Sequence, residues 1–222
     1  MIIKTYYARI QSIALILLLI SCESNDKTAN TSKPTTLSST VGAQIPNDVA
    51  DRWMAAYQQK STSGRTGDVN KVTASQLTDL LATVPGAIGI AFHYAIDDDG
   101  EQHILAIGLD HQSQMWSTDQ NRIAIDASTG MVINEATAYT WTEAFKAAHQ
   151  DDVWYYFFGS HVFEEMKEIS WFREFNLERG VNDEGVLQLL LILENSQTNG
   201  RVNDDTRIVY DKGGPCPPCE YI

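Results

Sequence analysis

The sequence predicts an α+β fold built from two tandem helix–helix–strand–strand–strand units packed into one body. Three observations carry this expectation. The first is the stretch Ala87–Asp110, AIGIAFHYAIDDDGEQHILAIGLD. Its apolar side chains alternate at Ile88, Ile90, Phe92 and Tyr94, break at an acidic turn closed by Gly100, and resume at Leu105, Ile107 and Leu109. Period-two alternation around Asp-Asp-Asp-Gly reads as a β-hairpin. The second is that the chain returns to the pattern 85 residues later, with Val181-Asn-Asp-Glu-Gly185 for Ile96-Asp-Asp-Asp-Gly100 and Leu187–Glu194 for the second strand. The third is that helical periodicity precedes each hairpin.

The N-terminal region reads as export and tethering. Lys4 and Arg9 precede an apolar core, Ile13–Ile20, that is too short to span a bilayer as a stable helix. Leu19-Ile20-Ser21-Cys22 follows and resembles the bacterial lipobox, which implies cleavage before Cys22 and lipidation of its thiol. Residues 1–22 are thus expected to be a lipoprotein signal peptide. An acyl anchor holds at ~0.8 kcal/mol per buried CH₂, so the attachment is effectively permanent. Residues 23–44 are rich in Ser, Thr and Asn and poor in large apolar side chains, the composition of a flexible tether. The acidic residues after Cys22, Glu23 and Asp26, resemble surface-export signals of Gram-negative lipoproteins. The expected location is the cell envelope, on the outer membrane.

The first unit, residues 45–132, opens on a helix signalled by Pro46 and Asn47-Asp48, with Val49, Trp53, Ala56 and Tyr57 along one face. Ser61–Asn70 is a polar loop. Thr73-x-x-Gln76 has capping-box form and starts a second helix with Leu77, Leu80, Leu81 and Val84 on its apolar face, ended by Pro85-Gly86. The hairpin comes next, then a short strand at Arg122–Asp126. A four-residue turn sets Tyr94 opposite His103 and Phe92 opposite Leu105, and gathers Gly89, Ala91, Ala106 and Gly108 on one small-residue face.

The second unit, residues 133–222, repeats the order. Ile133, Trp141 and Phe145 match Ile45, Trp53 and Tyr57 at an offset of 88. From position 72 the offset is 85 without a gap, pairing Asp98 with Asp183, Gly100 with Gly185, Leu105 with Leu190 and Arg122-Ile123-x-x-Asp126 with Arg207-Ile208-x-x-Asp211. Ser160 is the expected cap of the fourth helix, and the register sets Arg173 opposite Glu194. The order W…Y/F, GI-x-F-x-Y-x-ID-x-x-G and a terminal Cys-Pro-Pro-Cys resembles a family of small uncharacterised bacterial proteins that carry one such unit. Trp53, Tyr57, Ile88-Gly89-Ile90 and Asp97–Gly100 match in the first unit. Trp141, Phe145, Asp183–Gly185 and Cys216-Pro-Pro-Cys219 match in the second, which lacks the Gly-Ile pair. The resemblance supports the fold and implies no activity.

The net charge of −13 argues against nucleic acid as a partner. Cys216 and Cys219 are candidates for a structural disulfide, with a metal shared across a dimer or a free redox pair as the other readings. Only three residues follow the motif, which leaves no room for the helix a thioredoxin-like site needs. Asp97-Asp98-Asp99-Gly100 lacks EF-hand spacing because residue 95 is Ala, and reads as a polar turn. His161 and Glu164 share a helix face and read as a solvated first turn; no metal site, cofactor motif or catalytic residue is expected. Trp154, Tyr155 and Tyr156 lie where the first unit has a polar loop. They pack between the units or form an exposed platform for a protein or glycan. The expected function is therefore a non-catalytic, membrane-anchored binding module, the alternative being a thiol-redox or metal-dependent envelope protein acting through Cys216 and Cys219.

Overall fold

A computed structural model describes residues 35–60, 70–110, 122–195, 206–216 and 219–221. The expected signal peptide, with Cys22, lies outside the described residues. Strands β1 (Thr35–Leu37) and β2 (Ala43–Ile45) lead into α1 (Asn47–Lys60). Strand β3 (Lys71–Thr73) runs directly into α2 (Ala74–Ala82), followed by β4 (Ala87–Ile96), β5 (Gln102–Asp110) and β6 (Ile123–Asp126). Strand β7 (Val132–Asn134) opens the second half, with α3 (Glu135–Ala148), β8 (Tyr155–Gly159), α4 (Ser160–Glu168), β9 (Glu174–Val181), β10 (Leu187–Glu194) and β11 (Arg207–Asp211). Strands β12 (Gly214–Cys216) and β13 (Cys219–Tyr221) form the tail. The fold is α+β, with four helices and two antiparallel sheets among the described residues.

The sheets share strands reciprocally. The six-stranded sheet runs β12-β8-β4-β5-β6-β7, so β4-β5-β6 of the first half is flanked by β8 and β7 of the second. The five-stranded sheet runs β2-β11-β10-β9-β3, so β9-β10-β11 is flanked by β2 and β3 of the first half. Registers agree at the sequence offsets. Ile90 pairs with Gly108 as Phe175 does with Leu193, and Ala106 pairs with Ile125 as Leu191 does with Tyr210. Ala124 faces Ile133 as Val209 faces Ile45.

One shared core fills the space between the inner faces. It takes Ile90, Phe92 and Tyr94 from β4, Phe175 and Leu177 from β9, Leu77 and Leu80 from α2, and Phe163 and Met166 from α4. The Phe92 ring stands edge-on to Phe158 at 5.9 Å and to Phe175 at 6.0 Å. Each such ring contributes about 2–3 kcal/mol by leaving water. Outside, α3 covers the six-stranded sheet with Ala138 and Trp141, and α1 covers the five-stranded sheet with Ala50, Trp53 and Met54.

Several local expectations are corrected. Five residues, Asp97–Glu101, separate the paired Ile96 and Gln102, because the Asp97 carboxylate receives the N–H groups of Asp99 at 3.0 Å and Glu101 at 2.8 Å and so closes a longer loop. The register therefore moves by one, and Tyr94 faces Ile104 while Phe92 faces Ala106. The small residues then divide between the faces, each opposite a large one: Ala91 with Ile107, Ile90 with Gly108. Gly108 carries the close approach of a helix, since a Cβ there would lie 2.9 Å from the Leu80 carbonyl oxygen of α2. Arg173 does not meet Glu194; its guanidinium donates to the Phe172 and Ser170 carbonyls, and Glu194 sits across from Arg207.

The expected tether is shorter than residues 23–44. Strand β1 pairs in parallel with β13, β2 pairs with β11, and Leu37 is buried, so the body begins by Thr35. Helix α2 keeps its capping box, with Thr73 Oγ1 receiving the Gln76 N–H and Gln76 Oε1 receiving the Thr73 N–H. For α4 the cap is Gly159 and not Ser160, with no side-chain bond, because the chain arrives extended in β8 and only turns after Gly159. Helix α4 is held instead by His161, whose ring nitrogens lie 2.6 Å from the Ser39 carbonyl oxygen and 3.1 Å from that of Gly42.

Candidate functional site

Among the described residues a dense polar cluster sits where the β4–β5 loop meets the turn after β6. Register places it: Leu105 pairs with Asp126, which brings His103 beside the Asp126 carboxylate. His103 Nδ1 lies 3.2 Å from Asp126 Oδ2 and 3.3 Å from Ser128 Oγ, and Nε2 lies 3.2 Å from Asp97 Oδ2. The imidazole stacks on Trp141 of α3, centroids 5.1 Å apart. Asp126 is buried, and Oδ1 receives the Ser128 N–H at 3.0 Å and the Ser128 hydroxyl at 2.8 Å. Its Oδ2 receives the Thr129 hydroxyl at 2.6 Å. The Glu101 backbone N–H, aided by His103 and the Asp99 N–H, outweighs burial and holds the Asp97 carboxyl below its ordinary range.

Ser, His and Asp together invite a hydrolase reading, and the hydrogen bonds oppose it. A nucleophilic serine points its O–H at the imidazole and leaves backbone N–H groups for the oxyanion. Here the Ser128 O–H and N–H both end on Asp126 Oδ1. The cluster instead braces three segments, the β4–β5 loop, the turn after β6, and α3. Among the described residues no group of three or more His, Cys, Asp or Glu could hold a metal ion.

At the matching place in the second half the cluster is reduced. Asn182 repeats the loop bonds of Asp97, its Oδ1 receiving the N–H groups of Glu184 at 3.0 Å and Val186 at 2.9 Å. Gln188 stands for His103, and Gly213 for Ser128. Trp53, in the place of Trp141, donates to Asp183 at 3.3 Å, beside the bidentate Arg52–Asp183 pair at 2.9 and 3.0 Å.

A groove of about 420 Å³ lies between the start of α1 and β11, lined by Gln44, Pro46, Asn47, Asp48, Arg207 and Val209 among others. Its origin is a side-chain difference. At the start of α3 Glu135 is buried, its Oε2 receiving the Arg122 N–H at 3.3 Å, whereas Asn47, 88 residues earlier at the start of α1, is shorter and donates to the Arg207 carbonyl at 3.1 Å. Arg207 is paired with Asp51 and lies 3.8 Å from Glu194. With Asp48 on the rim, the groove opposes an anion.

The residues singled out in the sequence fall differently. Tyr155 and Tyr156 are fully buried in β8, an interior strand and not a loop, so they offer no surface platform. Their run matches no polar loop because β8 fills the seam beside β4. Tyr155 stacks on His93 at 4.4 Å, and the Tyr156 hydroxyl donates to the Leu187 carbonyl at 2.6 Å. Burial pushes the His93 ring down to about 3 and the Tyr156 phenol up. Trp154 is half-buried, donates to the His149 carbonyl at 3.1 Å and carries the Lys146 ammonium 5.4 Å over its ring. Cys216 pairs through its backbone with Tyr155, and Cys219 with Thr35; their side chains lie outside the described part. The large apolar side chains left exposed among the described residues are Met131, Val132, Tyr139 and Val186. No described helix is long and apolar enough to cross a membrane.

Compared with known proteins, no family model matches the chain, and neither a curated protein nor a solved structure matches it.

Proposed function

We propose that this is an exported lipoprotein, anchored through Cys22 to the outer membrane, whose body is a fused tandem pair of α+β units acting as a non-catalytic interaction module. The lipobox-like Leu19–Cys22 and the charged, apolar segment before it support the anchor. The equal registers at offsets of 85 and 88 support the duplication. The observation that carries the binding role is the β7 edge of the six-stranded sheet. There Met131 and Val132 are each 61% exposed on and beside β7, which among the described residues has no strand on its outer side, the arrangement that strand addition by a protein partner uses. The polar cluster that would serve catalysis is bonded to itself.

The test is a photo-crosslinking residue placed at Val132 in the full chain in intact cells. A discrete crosslinked species is expected. It should be absent when the probe sits at exposed Gln58 of α1 and lost when Met131→Glu is added. Equal crosslinking from both positions, or none from Val132, overturns the binding role. Release of the Cys22→Ser protein from washed membranes tests the anchor separately.

A further inference from the structure

Asp126 and Asp211 occupy matching positions at the ends of β6 and β11, and each is only 2% exposed. Their surroundings differ. Asp126 has the Ser128 N–H and hydroxyl, the Thr129 hydroxyl and the His103 ring around its two oxygens. At Asp211 those side chains are replaced by Gly213, Gly214 and Gln188. Gly213 cannot regain a side chain, because a Cβ there would lie 2.7 Å from the Phe158 ring. Asp211 Oδ1 has no hydrogen-bond partner among the described residues. With only the Lys212 N–H on the carboxyl, burial costs more free energy in its charged form than in its neutral form.

The place matters because β11 carries the N-terminal strap, residues 35–45. Asp211 pairs with Ala43, Tyr210 with Gln44 and Val209 with Ile45. The Gly42 backbone lies over the Asp211 carbonyl, where a Cβ would approach to 3.7 Å. The Gln44 amide donates to the Tyr210 hydroxyl at 3.2 Å. The ionisable groups facing Asp211 are the Lys212 ammonium on its own segment and the Tyr156 phenol of β8. The strap brings Gly42, Ala43 and Gln44, none of which ionises.

We propose that Asp211 is a proton-sensitive latch for the strap: with a neutral carboxyl the β2–β11 seam is closed, and ionisation loosens it by favouring a state in which the carboxylate reaches water. Burial pushes the Asp211 carboxyl up to about 6, against the Lys212 N–H and ammonium that pull it down. For an acid raised in the closed state, the favourable contribution is complete below its ordinary value near 3.8 and is lost as pH rises toward about 6. The strap also carries β1, so a loosened seam transmits to the β1–β13 pair.

Amide exchange of the full chain tests the latch, with protection corrected for the intrinsic pH dependence of exchange. Protection in residues 43–45 and 209–211 should fall of order 100-fold between pH 4 and pH 8, the separation between about 6 and 3.8. In Asp211→Asn, which keeps the shape and cannot ionise, it should be independent of pH. The β4–β5 hairpin serves as an internal control and should not respond. Equal pH dependence in Asp211→Asn, or a fall shared by the hairpin, overturns the proposal. A carboxyl-carbon NMR titration of the unaltered protein needs no variant; a midpoint for Asp211 in the ordinary aspartate range overturns it as well.

Discussion

The Arg179 guanidinium lies 4.9 Å over the Tyr94 ring, and the two residues are 85 positions apart. Positions separated by the spacing of the proposed duplication thus meet each other, one aromatic and one cationic. Their flanks match too. Tyr94 packs against Phe145 with centroids 5.4 Å apart, while Arg179 donates to the Tyr57 hydroxyl at 3.2 Å, and Tyr57 and Phe145 are 88 apart. Two arginines here would repel across the junction. One of each attracts.

A double-mutant cycle with Tyr94→Leu and Arg179→Met should give a coupling of about 1–2 kcal/mol in chemical unfolding, the range for a partly desolvated cation over an aromatic face. Additive losses would show that the two side chains are merely neighbours.

The glycines separate conformational from steric demand. Gly100 and Gly185 have φ of +84° and +83°, and nothing lies close enough to clash with a Cβ at either. Gly100→Ala and Gly185→Ala should therefore cost nearly the same, about 1 kcal/mol each, the penalty of the left-handed region alone. Gly159→Ala should cost about 3 kcal/mol, because its Cβ would sit 2.3 Å from the Ser39 carbonyl oxygen in the strap. Thermal melts of the three variants decide it.

Reciprocal strand sharing makes the halves inseparable in native conditions. A protease site inserted between Gly130 and Met131, in the turn joining β6 to β7, should be cut to give two fragments that still elute together. Cut fragments that part without denaturant would contradict the strand order.

Much of this order is legible in the residues. Helices α1 and α2, both hairpins and the third strands follow from periodicity, the Thr73–Gln76 cap and the turn glycines. Sharing of β3 and β8 is not legible, because a hydrophobic pattern says which face of a strand is buried and never which strand lies beside it. Lys71-Val72-Thr73 is too short and polar to announce a strand, and Tyr155–Phe158 has no alternation because both faces are buried. The polar cluster was hidden for a related reason. His103 and Asp126 are 23 residues apart and meet through the β5–β6 register, in which Leu105 pairs with Asp126, a pairing that the hydrophobic pattern does not fix.

Asp97 carries the acid-side prediction. Its carboxyl is held below the ordinary range, so its stabilisation is present above that range and is lost as pH falls through the lower value of the folded state. Asp97→Asn should melt below the unaltered protein at pH 7, and the difference should close in strong acid. A difference that does not change with pH would remove the charge from the explanation.

Strand order also sets a timetable. The five-stranded sheet joins β2, near the start of the described chain, to β11, which ends at Asp211, and the six-stranded sheet waits for β8 before β4 has a neighbour on that side. Neither sheet can close while the chain is still emerging, and loop-closure entropy over such separations makes folding slow. A chain that cannot finish folding early stays threadable for longer, the condition that the export proposed for this chain would require.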